Sequence, residues 1–457
     1  MAFTLAKCLA LAAAIPAITA TATSPRDAAA GPNAGFVSFP IKRGASTKTL
    51  SGRQATASLT NEQDTSYLIE LTFGSNAQAV KIAIDTGSDE LFVDPDCSDG
   101  DFTTSEIQQC EAQGTYTPST STTSQKTGES SSIVYGSGEV VISYYIDSIG
   151  VPGASQNLTD VQFGRATASQ DLNEGILGLG FGKDYNLNYS NFVDALQEQG
   201  VTNTKAFSVA LGNSDTAGGS IIFGGVDTKK FSGSLALLDI QSPSNGDIQR
   251  YSVAMSGVSF KNSSGSTTYS GSSLSTGVVL DTGSSLCELP STVVDAMAQD
   301  LGAQEDESGL FLVDCSVASE GTLEFAFDGV TINVPLSDFV LQDGNYCVLG
   351  VMAMDSGTGI NALLGDSFLR NAYAVFDQTN MQIGLAQYTS CGTNEQAIPS
   401  GTAGASSFTG ECSATSTSTS SSSGSSKSGA SGSLTPSGGV ALLALVGGMF
   451  VLGGTLL

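Results

Sequence analysis

The sequence predicts an all-β molecule of two domains, and three observations carry the prediction. The tetrad Asp-Thr-Gly-Ser occurs twice, at 85–88 and 281–284. Each copy closes a short apolar run, 81–84 and 277–280, that reads as a buried strand. The copies lie about two hundred residues apart, and each is followed downstream by an apolar-apolar-Gly run: Ile176-Leu177-Gly178, then Leu363-Leu364-Gly365. Finally, 54 glycines and only 7% aromatic residues suit many short strands joined by tight turns, and 457 residues, 40% of them apolar, suffice for two sizeable domains.

An aspartate at the mouth of an apolar strand is a costly place for a charge, so it needs hydrogen-bond partners. The tetrad carries them. Gly87 and Gly283 let the backbone turn so that N–H groups face the carboxylate, while Ser88 and Ser284 offer a hydroxyl to its second oxygen. A single tetrad reads as a hairpin turn, because Asp and Gly are ordinary turn residues. Two copies in matching contexts read as a pair of working carboxylates. The chain has no histidine, which excludes Ser-His-Asp and Cys-His catalysis, His-ligated zinc and the H-E-x-x-H metalloproteases. Acid–base chemistry must therefore fall to carboxylates. With 17 basic against 44 acidic residues, a formal charge of −27, nucleic acid is not an expected partner.

On these paired tetrads the chain resembles the pepsin-like aspartic proteases. The resemblance implies a bilobal, mostly β fold with a cleft between an N-terminal lobe (65–228) and a C-terminal lobe (229–390), a monomer that acts on peptides or proteins. It makes Asp85 and Asp281 the catalytic dyad. Thr86 and Thr282 would tie the lobes beneath them, and Ser88 and Ser284 would bond the outer carboxylate oxygens. The implied mechanism is hydrolysis by an activated water, with no cofactor, no metal and no covalent intermediate.

Along the chain, residues 1–22 read as a secretory signal peptide, with Lys7, an apolar core from Cys8 to Ile18, and small residues Ala20 to Ala22. Residues 23–43 read as a flexible pro-segment closing on Lys42-Arg43, a dibasic pair that invites a processing protease; two solvated basic residues are the alternative. Their removal leaves a body with a charge of about −30. Folded structure is expected from Thr65, because Tyr67–Gly74 alternates like a half-buried strand. The family commonly has Trp where Phe92 stands, and this chain has no Trp. Residues 99–132, polar and rich in Ser and Thr, read as a long surface loop. Ile133–Gly138 and Val140–Ile142 read as a hairpin. By resemblance its tip is the substrate flap, formed by Tyr135, Gly136 and Ser137, whose Tyr135 hydroxyl would bond the indole that Phe92 cannot provide. A helix is expected over Ser190–Gly200, capped by Ser190, and another over Ser291–Leu301, with 315–341 as strands and the fold closing near Tyr388.

The cysteines suit an oxidising compartment. Cys97–Cys110 and Cys315–Cys347 stand where the family carries disulfides; Cys391–Cys412 is paired on proximity, and Cys287 is left as a buried thiol. Asn157, Asn188 and Asn262 head N-x-Ser/Thr triplets that suit glycosylation. Residues 391–439 read as a disordered Ser/Thr-rich tail and 440–457 as an apolar GPI-attachment signal, with Ser428 as the attachment residue. A tail-anchored membrane helix is the alternative, weakened by the glycines at 447, 448, 453 and 454. Taken together, these segments resemble the fungal yapsin-like surface proteases. That resemblance implies membrane or wall attachment and cleavage beside basic residues, for which Asp89, Glu90 and Glu288 near the dyad offer negative charge. The other readings are a general pepsin-like endopeptidase with apolar specificity, and a non-catalytic GPI-linked surface protein, which leaves both tetrads without a reason.

Overall fold

The computed structural model describes residues 35–413 except 45–49, 53–54, 58–65, 99–101, 103, 137, 213–218, 244–247, 270, 272–273, 344–345 and 355–358. The signal peptide, pro-segment residues 23–34, Ser428 and the whole of 414–457 lie outside the described residues.

The fold is mostly β, as expected. A 13-stranded sheet runs through both halves of the chain. Its N-terminal part contains the strand Ser66–Phe73 paired with Gln78–Asp85, which neighbours Gly175–Gly178. The first strand is half-buried and alternates, whereas the last four residues of Gln78–Asp85 are all buried, because that end lies inside the sheet with both faces covered. The other end of the sheet is built from both halves: Ala206–Ala210 pairs with Ala372–Asp377, which pairs with Gln382–Gln387 and so leads to Ala236–Asp239. Aromatic packing fastens this junction. Phe207 stacks on Phe376 with ring centroids 5.0 Å apart, and Tyr251 meets Phe376 edge-on at 4.7 Å. Among the described residues, one five-stranded and two four-stranded sheets and two-stranded pairings complete the C-terminal half.

Four expectations are corrected. Structure begins before Thr65: Val37–Gly44 is a strand whose first part pairs with Gly219–Phe223 and whose last three residues, Lys42 to Gly44, pair with 66–68. The dibasic pair therefore sits in a paired strand and not in a flexible segment; Val37, Phe39 and Ile41 are buried, and that apolar alternation holds the strand in place. The stretch 99–132 is not one loop. It carries a helix, Thr104–Glu111, and most of a strand, Gln125–Val134, which pairs with Glu139–Gly150. That strand ends the large sheet and exposes nearly all its side chains, so its polarity gave no sign of pairing. The helix at 192–198 is capped by Asn191, in a capping box with Asp194, while Ser190 Oγ donates to Glu198. Lastly, 391–413 is folded: Glu395–Ala397 pairs with Gly225–Asp227, Thr409–Glu411 pairs with Ser232–Ser234, and Cys391–Cys412 closes the strap between.

The other two expected disulfides, Cys97–Cys110 and Cys315–Cys347, are present, and Cys287 is a buried free thiol. The helix Ser291–Leu301 has the expected bounds and stops at Gly302, whose φ of 68° lies in the left-handed region. The span 315–341 holds two long strands, with short helical turns at Cys315–Ser319 and Leu336–Phe339. No helix among the described residues is long and apolar enough to cross a membrane.

Candidate active site

Two equivalent arrangements bring the tetrads together. Gln78–Asp85 runs parallel to Gly175–Gly178, with Gly178 opposite Asp85, and Leu179 N donates to Asp85 O at 2.7 Å. In the second half Val278–Leu280 runs parallel to Leu363–Leu364, and Asp281 N donates to Leu364 O at 3.0 Å. The apolar-apolar-Gly runs thus serve as the partners of the strands that end on the tetrads.

Each tetrad folds back on its own carboxylate. Gly87 N donates to Asp85 Oδ1 at 2.8 Å and Ser88 Oγ donates to Asp85 Oδ2. Gly283 N and Ser284 Oγ serve Asp281 in the same way, each at 2.8 Å. The threonines cross between the halves. Thr86 N donates to Thr282 Oγ1 (3.1 Å) and Thr282 N to Thr86 Oγ1 (3.0 Å); the two hydroxyls donate onward to Leu280 O and Ile84 O. This reciprocal set fixes the spacing of the two turns. A Cβ at Gly87 would lie 2.6 Å from Asp281 Cγ, so only glycine admits the opposing carboxyl.

Asp85 and Asp281 are both fully buried, each at the end of its own turn. Burial raises the pKa of both, and the charge of Asp281 raises Asp85 further. The serine and backbone donors act in the opposite direction, as does Arg250 on Asp281. Two such carboxyls hold one proton between them across the acid range, giving a base and a hydrogen-bond donor side by side.

The expected hairpin is present, closed by Tyr135 N donating to Gly138 O at 2.7 Å. Gly136 is exposed at its tip, and Ser137 lies outside the described residues. Tyr135 is buried with its ring 6.1 Å from that of Phe92, and its hydroxyl has no hydrogen-bond partner among the described residues. Phe92 has no donor or acceptor to give it.

The structure gives the acids near the dyad inward partners and adds Arg250, which the sequence did not assign. Asp89 accepts from Phe181 N (2.7 Å) and Asn186 Nδ2 (2.9 Å), and burial raises its pKa to about 7. Glu90 accepts from Tyr144 and Tyr189, and its pKa is raised by burial. Arg250 Nη1 donates to Gly87 O at 3.1 Å from the other half of the chain. The expectation that Asp89, Glu90 and Glu288 present open negative charge to a substrate is corrected: all three are buried, and the first two are engaged by inward hydrogen bonds. Sequence proximity to the dyad does not report side-chain direction. Cys287 is inert as a nucleophile, since burial pushes its thiol up to about 12. Asn157 and Asn188 are exposed, whereas Asn262 Oδ1 accepts from Ser264 N and Gly265 N in a tight turn.

Residues 66–388 match the family described as eukaryotic aspartyl protease. Secreted aspartic protease 8 of Candida albicans is 40% identical over 335 residues, which cover 72% of this chain and 77% of that protein. Candidapepsin-3 of Candida albicans (strain WO-1) is 36% identical over 72% of this chain and 81% of its own, and candidapepsin of Candida tropicalis 34% over 71% and 80%.

Proposed function

The chain belongs to the eukaryotic aspartyl protease family, an aspartic-type endopeptidase related to secreted fungal enzymes, and on that premise we propose that Asp85 and Asp281 are its catalytic dyad. The observation that carries this reading is the pair of mirrored turns that bury the two carboxyls against each other. The ionised member takes a proton from a water held between them, and the water oxygen attacks the scissile carbonyl. The protonated member donates a hydrogen bond to the carbonyl oxygen as charge develops there. The C–N bond then breaks as a proton passes to the leaving amine. Thr86 and Thr282 hold the two turns in register, and Ser88 and Ser284 orient the carboxyls. Tyr135 and Gly136 form the part of the flap that lies over the substrate. Replacing either aspartate with asparagine tests the assignment.

We also propose that the enzyme works at the cell surface as a monomer, glycosylated at exposed Asn157 and Asn188, and held by a GPI anchor near Ser428. The anchor reading rests on the composition of 414–457, a Ser/Thr/Gly-rich spacer followed by an uncharged apolar end. It predicts that the mature protein leaves membranes on treatment with a phosphatidylinositol-specific phospholipase. Mature protein that retains peptides from 440–457 would count against it.

A further inference from the structure

Glu90 lies two residues past Ser88, on the way from the first catalytic turn into the strand Leu91–Val93. It is buried, yet among the described residues its carboxyl is not paired with a cation. Glu90 Oε2 instead accepts two phenolic hydroxyls: Tyr144 Oη at 2.6 Å and Tyr189 Oη at 3.1 Å. The two rings meet edge-to-face with centroids 5.7 Å apart. Tyr144 belongs to Glu139–Gly150, the second strand of the flap hairpin, and Tyr189 to the segment leading into the helix at 192–198. The backbone of Glu90 is fixed as well, since its carbonyl accepts from Gly178 N at 3.0 Å, opposite the catalytic strand.

One side chain thus ties the flap hairpin to the catalytic turn. Backbone pairing with Leu158–Gln170 holds the hairpin's second strand in the sheet, but the side chains around Glu90, those of Phe92, Ile133, Val140, Ile142 and Ile176, are apolar, so the Glu90 carboxylate is the polar side-chain link from the catalytic turn to that strand. A buried carboxyl is costly unless its hydrogen bonds are made, and charge-assisted bonds to phenols of 2.6–3.1 Å are strong ones. We propose that Glu90 is a positioning residue for the flap, holding the hairpin over the dyad through Tyr144 while Tyr189 fixes the carboxyl from the other side. The inference rests on the reading of this hairpin as the substrate flap.

The test uses three substitutions in the full-length enzyme. Glu90→Leu removes the acceptor, Tyr144→Phe removes one donor, and Glu90→Gln keeps a carbonyl oxygen for both phenols. Glu90→Leu is expected to raise KM about tenfold and Tyr144→Phe about fourfold, with kcat within about threefold; Glu90→Gln falls between wild type and Tyr144→Phe. Because the chain has no Trp, Val134→Trp, at an exposed position near the hairpin tip, makes a single indole reporter. Its fluorescence anisotropy should fall when Glu90→Leu is added. A loss of Tm with KM and anisotropy unchanged, in both Glu90→Leu and Tyr144→Phe, overturns the proposal and leaves Glu90 a purely structural acid. Glu90→Gln as damaging as Glu90→Leu overturns it too, since charge would then matter more than the acceptor. Tyr135→Ala separates the two levels of inference. If it raises KM while the Glu90 and Tyr144 variants do not, the anchor alone is wrong; if it leaves KM unchanged, the flap reading itself fails.

Discussion

Asp89 carries its carboxyl inward, beneath the Phe181 N–H and the Asn186 amide, and its pKa of about 7 stands well above that of an ordinary Asp. A folded-state pKa above the unfolded one means that the fold binds the proton more tightly. The stabilisation is then complete below about pH 4, the unfolded value, and is lost as pH rises through 7. The displacement corresponds to about 4 kcal/mol of pH-dependent stability. Asp85, Asp281 and Glu90 are raised in the same direction, so the enzyme should be an acid-stable protein that weakens toward neutral pH. Asp89→Asn is expected to flatten the fall of Tm between pH 4 and 7, at the cost of one amide hydrogen bond at every pH; an unchanged slope would contradict the account. The folding-back of each tetrad on its own carboxylate was legible in the sequence, because each carboxylate finds its main partners within three residues, in the tetrad itself. Asp89 and Glu90 were not, because their partners lie 54 to 99 residues away and only the fold brings them close.

Strands with one buried face, such as Ser66–Phe73, and the helix Ser291–Leu301, which runs into Gly302, could be read from periodicity and its stop signal. The polar strand Gln125–Val134 could not, because it is held by backbone pairing and exposes nearly all its side chains, and the strap 391–413 could not, because its few buried apolar residues are scattered through a polar stretch with no periodicity. In the strap, Glu411 accepts from Thr228 and Asn394, Asn394 N donates to Asp227 Oδ1 at 2.7 Å, and Ile398 provides a buried apolar foot. The disulfide Cys391–Cys412 adds to these contacts. Closing a loop of this length contributes about 3 kcal/mol. The double substitution Cys391→Ala/Cys412→Ala should therefore open 391–413 to limited proteolysis and leave the dyad, on other strands, at work. A strap as resistant as wild type would show that the polar contacts suffice alone.

For the whole molecule, the formal charge of −27 is the remaining ground for a preference for basic substrates, since the acids nearest the dyad face inward. A field of that kind is long-ranged and screened by salt. If it governs selection, kcat/KM for Lys-containing peptides exceeds that of their Lys→Leu counterparts and falls with ionic strength; a preference for the Leu peptide at pH 4–6 would make the cleft apolar in its specificity. Either specificity presupposes the two-carboxylate site, which the reciprocal threonine bonds build from both halves of the chain. The most direct measurement is kcat/KM of purified, folded Asp85→Asn and Asp281→Asn on a fluorogenic peptide at acid pH. Each substitution removes half of a shared-proton pair, so each should lower kcat/KM by about a thousandfold or more; activity above a few per cent of wild type in either variant would contradict the assignment.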